Sequence, residues 1–475
     1  MAVDLDVPLS WTTATGDAAV MLDELQPDIL KAHVREFLSV LFLHFADQAD
    51  GRSFLGALVP LMKSAKTHLE EITAFKTTGV AGSPYVGVGL THAGYGALGI
   101  ADANTPDDSS FARGMTDPDS RQTLSDPPPS VWEPLYRQAT PEAAIHAVVM
   151  IGDVRDAPVS ALREEILALL PDTATVLGEE TGLAQRNAQG EGIEHFGYID
   201  GRSQPLFLTE DITDEREGTD GTNAWDTSAP LKQVLVADRA APDPTRHFGS
   251  YFIFRKLEQN VRRFVQAEED LADALGLTGA DRARAGAMLV GRFRDGTPLT
   301  LQRADGADQP VMNNFSYDSD PHGAKCPFHG HIRKTNPRGS GGFEPPADER
   351  KHLMVRRGIP FGERTDVPFD TSVPIAQRPT GGVGLLFMAF NSLIASQFDF
   401  TQQAWANNPG FPSVPAGTPP PGLDPVIGQG ARPAQTYPLH WAGTSTEEVP
   451  AVPQSVRMKG GEYFFMPSLA FLRSL

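Results

Sequence analysis

HAVVMIGDVRDAPVSALREEILALLPDTATVLGEE, His146 to Glu180, decides the fold. HAVVMIGD is a short apolar run and predicts a buried strand. SALREEILALLPD offers Ser160 as an N-cap, sets Leu162, Ile166 and Leu169 on one helical face, and stops at Pro171. TATVLGEE then resumes as a strand from Thr173. Upstream, EFLSVLFLHF (Glu36 to Phe45) reads as a strand, SFLGALVPLMKSAKTHL (Ser53 to Leu69) as a helix and SPYVGVGLT (Ser83 to Thr91) as a further strand. The order is βαββαβ, the ferredoxin-like arrangement, interrupted by a polar insertion between roughly Asp102 and Ser130.

The second half repeats the order without repeating the sequence. HFGSYFIFRKL (His247 to Leu257), HLMVRR (His352 to Arg357), GVGLLFMAFN (Gly382 to Asn391) and GEYFFMP (Gly461 to Pro467) read as strands. EQNVRRFVQAEEDLADAL (Glu258 to Leu275) and SLIASQFDFTQQAWA (Ser392 to Ala406) read as helices. The expected fold is therefore α+β: two ferredoxin-like domains, residues 1–225 and 226–475, with antiparallel sheets and helices packed around them. The acidic stretch Leu208 to Pro230 reads as the linker, and FPSVPAGTPPPGLDP (Phe411 to Pro425) as an extended surface loop.

Sixty acidic against forty basic residues among 475 give a formal charge of −20, a field that repels nucleic acid and anionic membranes. No run approaches the ~18 consecutive apolar residues of a membrane span. Asp4 and Asp6 precede the first lysine, Lys31, so no charged leader region is read and a cytoplasmic location is expected. The single cysteine allows no internal disulfide.

Four stretches carry chemistry. CPFHGHIRKTNPR (Cys326 to Arg338) holds the cysteine and two histidines; a structural zinc site needs four ligands and no second pair lies at a suitable spacing, whereas one imidazole suffices to hold haem iron. An ordinary structural histidine is the plain alternative. FGYIDGRSQP (Phe196 to Pro205) is a tight turn by its Asp-Gly pair, yet apolar neighbours predict a half-buried Asp200. In MVRRGIPFG (Met354 to Gly362) strand alternation sends Arg356 and Arg357 to different faces. In GLLFMAF, Leu385 and Phe387 share a strand face, and Asp399 in QFDF reads as a surface carboxylate, with a buried imidazole N–H as the alternative partner.

Together and in this order, GYIDG, CPFHGHIRKTNPR, RRGIPFG, LLF and QFDF resemble the dye-decolourising peroxidases, most densely from Phe196 to Asn408, and the ending GGEYFFMPSLAFLRSL is similar to the longer bacterial subgroup. The resemblance implies one haem b per chain, held in the C-terminal half. His331 would be the axial iron ligand, Asp399 the carboxylate accepting its other N–H, and Leu385 and Phe387 the pocket lining. Arg333, Gly201 and Ser203 would complete the haem contacts, and His329 stands where relatives carry a small residue. Asp200 and Arg356 would be the catalytic pair.

The partners implied are hydrogen peroxide and small reducing substrates such as dyes and phenols, with neither nucleic acid nor membrane. Asp200 would move the peroxide proton, Arg356 would stabilise the leaving oxygen and keep the carboxylate ionised, and donors would supply two electrons one at a time. A carboxyl group, ordinarily titrating near ~3.9, predicts an acidic optimum. The alternatives are a haem protein that uses the same pocket for oxygen-dependent oxidation or haem iron release, a haem-binding or carrier protein, which needs His331 but has no use for Asp200 and Arg356 together, and a non-haem iron or zinc protein using His329, His331 and a carboxylate. Trp225, Trp405, Trp441 and Tyr251 are candidate electron relays. Glu258, Glu268, Glu269 and Asp270 read as a solvated face, with Mn2+ binding as the alternative.

Overall fold

The computed structural model describes residues 2–306, 311–364, 366–368, 370 and 372–475. In the first half β1 (Phe37–Phe45), β2 (Tyr85–Leu90), β3 (Ala147–Asp153) and β4 (Ala174–Leu183) pair in the order β2-β3-β1-β4. In the second, β5 (Phe248–Gln259), β7 (Ile359–Phe361), β8 (Gly384–Asn391) and β9 (Val456–Met466) pair as β7-β8-β5-β9, with the short β6 (Val355–Arg356) also on β8. Counted from each half's first strand, both orders are 2-3-1-4, and every pairing is antiparallel. The two ferredoxin-like units are real, but they form one sheet.

The halves join where Phe465 of β9 pairs with Leu90 of β2. At the other edges β4 meets β7 so closely that a Cβ on Gly182 would lie 2.5 Å from Ile359 Cγ2. The sheet thus curls into a barrel whose core is common to both halves, with Val148 of β3, Phe252 of β5 and Phe464 of β9 all in it. β3 is buried at all seven positions, as a strand covered on both faces must be. Among the described residues no helix is long and apolar enough to cross a membrane.

Several boundaries differ from expectation, each for a local reason. The helix expected over Ser53 to Leu69 is two: α1 (Gln48–Leu58) ends just before Pro60, and α2 (Ala65–Thr78) starts anew on Ser64, whose hydroxyl accepts the Thr67 N–H at 3.1 Å. Ser160 is inside α3 (Asp156–Ala168) and does not cap it; the helix already starts at Asp156, an acidic first-turn residue that suits the helix dipole, with Arg155 as the N-cap residue. The presumed linker contains a helix, Thr209–Gly218, and buries Trp225. On α4 (Val261–Ala274), Val261, Phe264 and Leu271 form the buried stripe, and the Asn260 side chain caps the first turn. The helix expected from Ser392 begins only at α6 (Phe398–Phe400) and continues as a π-helix over Thr401–Ala406.

The polar insertion, though exposed along much of its length, braces the second half through buried carboxylates. Asp126, fully buried, receives both terminal nitrogens of Arg255 at 2.7 and 2.6 Å, and Asp108 accepts the Ile394 N–H at 2.9 Å. Residues near the N-terminus brace the Arg356 strand in a similar way. The Asp28 carboxylate takes Arg35 at 3.0 Å and Arg357 at 3.3 Å, while Arg35 also donates to the Arg357 carbonyl at 2.6 Å. Burial would raise the Asp28 pKa, but the Arg35 and Arg357 guanidiniums outweigh it and hold the carboxyl below its ordinary range.

Asp28→Ala is expected to destabilise the protein by about 3–5 kcal/mol, because it strands two buried cations. Since the folded pKa is depressed, that stability is present above ~3.9 and disappears as pH falls through the folded value. Calorimetry should therefore show the gap from wild type closing in strong acid.

Candidate active site

One cavity gathers most of the predicted residues. Asp200, Gly201, Ser203, His331, Arg356, Leu385 and Phe387 all line it. Arg333 and Asp399 do not.

His331 opens α5 (His331–Thr335). At about 100° per residue, a side chain four positions on returns to the same face and one two positions on points away. Thr335 accordingly lines the cavity beside His331. Arg333 is driven to the far side, where it is buried, donates to Asp320 Oδ2 at 2.9 Å and the Cys326 carbonyl at 2.6 Å, and stacks between Tyr317 and Phe328. It is a structural residue, so the expected haem contact is corrected. His329 is likewise buried away from the cavity, against the edge of Tyr437.

The partner of His331 is Asp424. His331 Nδ1 lies 2.8 Å from Asp424 Oδ2, and Oδ1 of the same carboxylate accepts the Val426 and Ile427 N–H groups at 2.8 and 3.0 Å. Burial alone would raise the Asp424 pKa; the His331 imidazole and the two backbone N–H groups prevail and hold it down. An ionised Asp424 fixes the proton on Nδ1 and leaves the Nε2 lone pair free.

Asp399, expected in that role, is buried elsewhere: Tyr463 donates to it at 2.8 Å and Ser110 at 2.5 Å. Helical spacing is the cause, since Phe398, Thr401 and Gln402 take the cavity face of the turn and Asp399 falls between. Nor is it a surface carboxylate, at 4 % exposure.

The second group comes from the turn and the sheet. Gly197 and Gly201 flank Asp200 at φ 91° and 81°, conformations that exclude ordinary side chains. Asp200 is a wall residue yet exposed, not half-buried as expected, because its turn lies at the rim; its carboxylate takes the Gly201 N–H at 2.7 Å. Strand alternation divides the arginines as predicted. Arg356, paired across from Ala389, turns into the cavity and donates to the Arg202 carbonyl at 2.7 Å, while Arg357 turns to Asp28. Leu385 and Phe387 alternate with the core residues Leu386 and Met388 on β8.

A cluster of cations completes the wall. Arg202, Arg292, Arg338 and Arg356 all line the cavity, and among the described residues none of them makes an ion pair with a carboxylate. Arg292 and Arg338 share the Asn313 side-chain oxygen at 3.0 and 2.8 Å, and Arg338 also bonds Ser203. Burial, then the neighbouring Arg202, lowers Arg292 to about 10; burial, then Arg292, lowers Arg338 to about 9. Arg202 Nε is buried with no partner.

These features suit a haem. A free imidazole nitrogen can ligate iron, apolar walls can enclose the macrocycle, and guanidiniums without a carboxylate partner, one with an orphaned N–H, can take its carboxylates.

The remaining candidates fall elsewhere. Trp405 is buried, with its ring centroid 5.4 Å from that of His352, a cavity residue, and the two rings nearly perpendicular. Trp225 lies between the Arg338 and Arg350 guanidiniums, Trp441 donates to the Leu299 carbonyl, and the Tyr251 hydroxyl accepts the Asp108 N–H. Glu268 is not on a solvated face: it is buried, bonded to Tyr198 and Arg294. Among the described residues no three His, Cys, Asp or Glu gather as a metal site.

Comparison with known proteins agrees with this geometry. The DyP dimeric alpha+beta barrel domain matches residues 24–185. The multifunctional dye peroxidase DyP2 of Amycolatopsis sp. is 61% identical over 476 residues, covering 100% of both chains. The chain belongs to the DyP-type peroxidases. The solved structure of that DyP2 superposes with a TM-score of 0.96 over the full length of both. A DyP-type peroxidase of Anabaena sp. matches with a TM-score of 0.90 at 35% identity, covering 99% of this chain and 98% of the other. Peroxidase 2 of Mycetinis scorodonius is 30% identical, covering 99% of this chain and 90% of the other. As a dye-decolourising peroxidase, the chain is an oxidoreductase that uses peroxide, in a family of haem enzymes.

Proposed function

We propose that this dye-decolourising peroxidase binds one haem b per chain through His331 Nε2, reacts with hydrogen peroxide beside Asp200 and Arg356, and oxidises dyes and phenols by one-electron steps in acid. The observation that carries the reading is the His331–Asp424 pair in the same cavity as Asp200 and Arg356. A carrier needs the first pair only.

When bound, the haem supplies an iron that accepts peroxide and stores its oxidising equivalents. The protein supplies the rest. Asp200 takes the proton from one peroxide oxygen and returns it to the other, which leaves as water. Arg356 neutralises the charge developing on that oxygen, and its guanidinium is oriented beforehand by the Arg202 carbonyl. Asp424 accepts the His331 Nδ1–H, pushing electron density towards the ligating nitrogen. Arg202 and Arg292 would hold the haem carboxylates, with the charge of Arg338 beside them fixed by Ser203 and Asn313, and Leu385 and Phe387 would keep bulk water from the reacting oxygens.

The test is a pH series of peroxide-dependent dye oxidation with matched absorption spectra. A Soret band and a rate rising towards acid are expected. A protein without a Soret band after haem reconstitution, or an optimum at or above neutrality for every donor, defeats the reading.

A further inference from the structure

Lys334, three residues beyond His331 on α5, is completely buried and takes no part in the steps above. We propose that Lys334 is a positioning residue: it fastens both ends of the proline-rich loop to the helix of His331 and thereby holds Asp424 against the imidazole. The inference rests on the reading of His331 as axial ligand.

The geometry is specific. Lys334 Nζ donates to the carbonyls of Asn408 at 2.8 Å, Phe411 at 2.6 Å and Gly422 at 2.7 Å. An ammonium group has three donors, and all three are spent. The first two carbonyls lie where the chain leaves the π-helix; the third lies two residues before Asp424. Between them the chain runs without helix or strand, and Ser413, Gly417, Pro419 and Pro420 are exposed.

Two backbone bonds close the loop on its own stem: Gly422 N–H to Pro409 at 2.9 Å and Asp424 N–H to Ala406 at 3.0 Å. Lys334 ties that stem to α5. Burial lowers the amine to about 7 and the negative charge of Asp424 opposes this. A carboxylate on a loop needs such a tie, because a hydrogen bond tunes an imidazole only while its length and angle are held.

The experiment uses the haem-loaded protein. The iron–histidine stretching band of the ferrous form, by resonance Raman, and the ferric/ferrous midpoint potential are measured for wild type, Lys334→Met and Asp424→Asn. Lys334→Met keeps the length of the side chain and removes its charge and donors. The stretching band should move to lower frequency and the potential upward, both in the direction of Asp424→Asn, with about a tenfold fall in the rate with peroxide. A Lys334→Met band and potential at the wild-type values, beside a shifted Asp424→Asn, overturn the proposal. If neither variant moves the band, the axial reading of His331 has failed instead. Should Lys334→Met not fold, Lys334→Gln decides by the same criterion: a shifted band supports the tie and an unshifted one overturns it.

Discussion

Arg356→Leu is expected to slow the reaction with hydrogen peroxide by about 10²–10³-fold while the protein keeps its fold and its haem, the cost of removing one oriented charge donor from a transition state. The backbone supports such a clean substitution. Arg356 pairs with Ala389 through main-chain groups, and its N–H donates to Gln204 Oε1 at 3.1 Å, all of which leucine preserves. The adjacent Arg357 provides the contrast, since its guanidinium is committed to Asp28 and to the Asp28 and Ile29 carbonyls. Arg357→Leu should lower the melting temperature and spare the peroxide reaction in whatever fraction remains folded. Stopped-flow mixing with peroxide reads both; equal rates for Arg356→Leu and wild type would remove the arginine from the mechanism.

The second large effect is loss of the cofactor from His331→Ala. Losing a supporting hydrogen bond to a metal ligand costs roughly 10–100-fold in affinity, and losing the ligand itself should cost more. Haem titration of the reconstituted variant, followed at the Soret band, should show weak or absent binding, with partial recovery when free imidazole is added. Full occupancy with an unchanged ferric spectrum would dismiss His331 as the ligand. Asp399→Asn, by contrast, should leave haem binding intact, because the bonds of Asp399 go to Tyr463 and Ser110.

The residues legible in the sequence were those whose role is set by their immediate neighbours. Alternation along a strand separated Arg356 from Arg357 and paired Leu385 with Phe387, because successive strand side chains take opposite faces whatever lies beyond. The glycines around Asp200 announced a turn whose backbone other residues resist. Helical positions were less secure. Arg333 and Asp399 each stand in a segment where a shift of one or two residues rotates a side chain out of the cavity, and neither helix start was sharp enough in the sequence to fix that rotation. Asp424 was hidden in another way. It ends a stretch whose composition reads as surface loop, and only its return beneath α5 buries it.

From the chain alone came the repeated βαββαβ order and the strand faces that present Arg356, Leu385 and Phe387, both consequences of short-range periodicity, while the choice of His331 as the iron's imidazole came from the family resemblance of its motif. Tertiary structure decided that the two units close into one barrel, that Asp424 rather than Asp399 supports His331, and that Arg202, Arg292 and Arg338 converge on one cavity. Those groups lie far apart in sequence. Long-range packing brings them together, and local spacing carries no record of it.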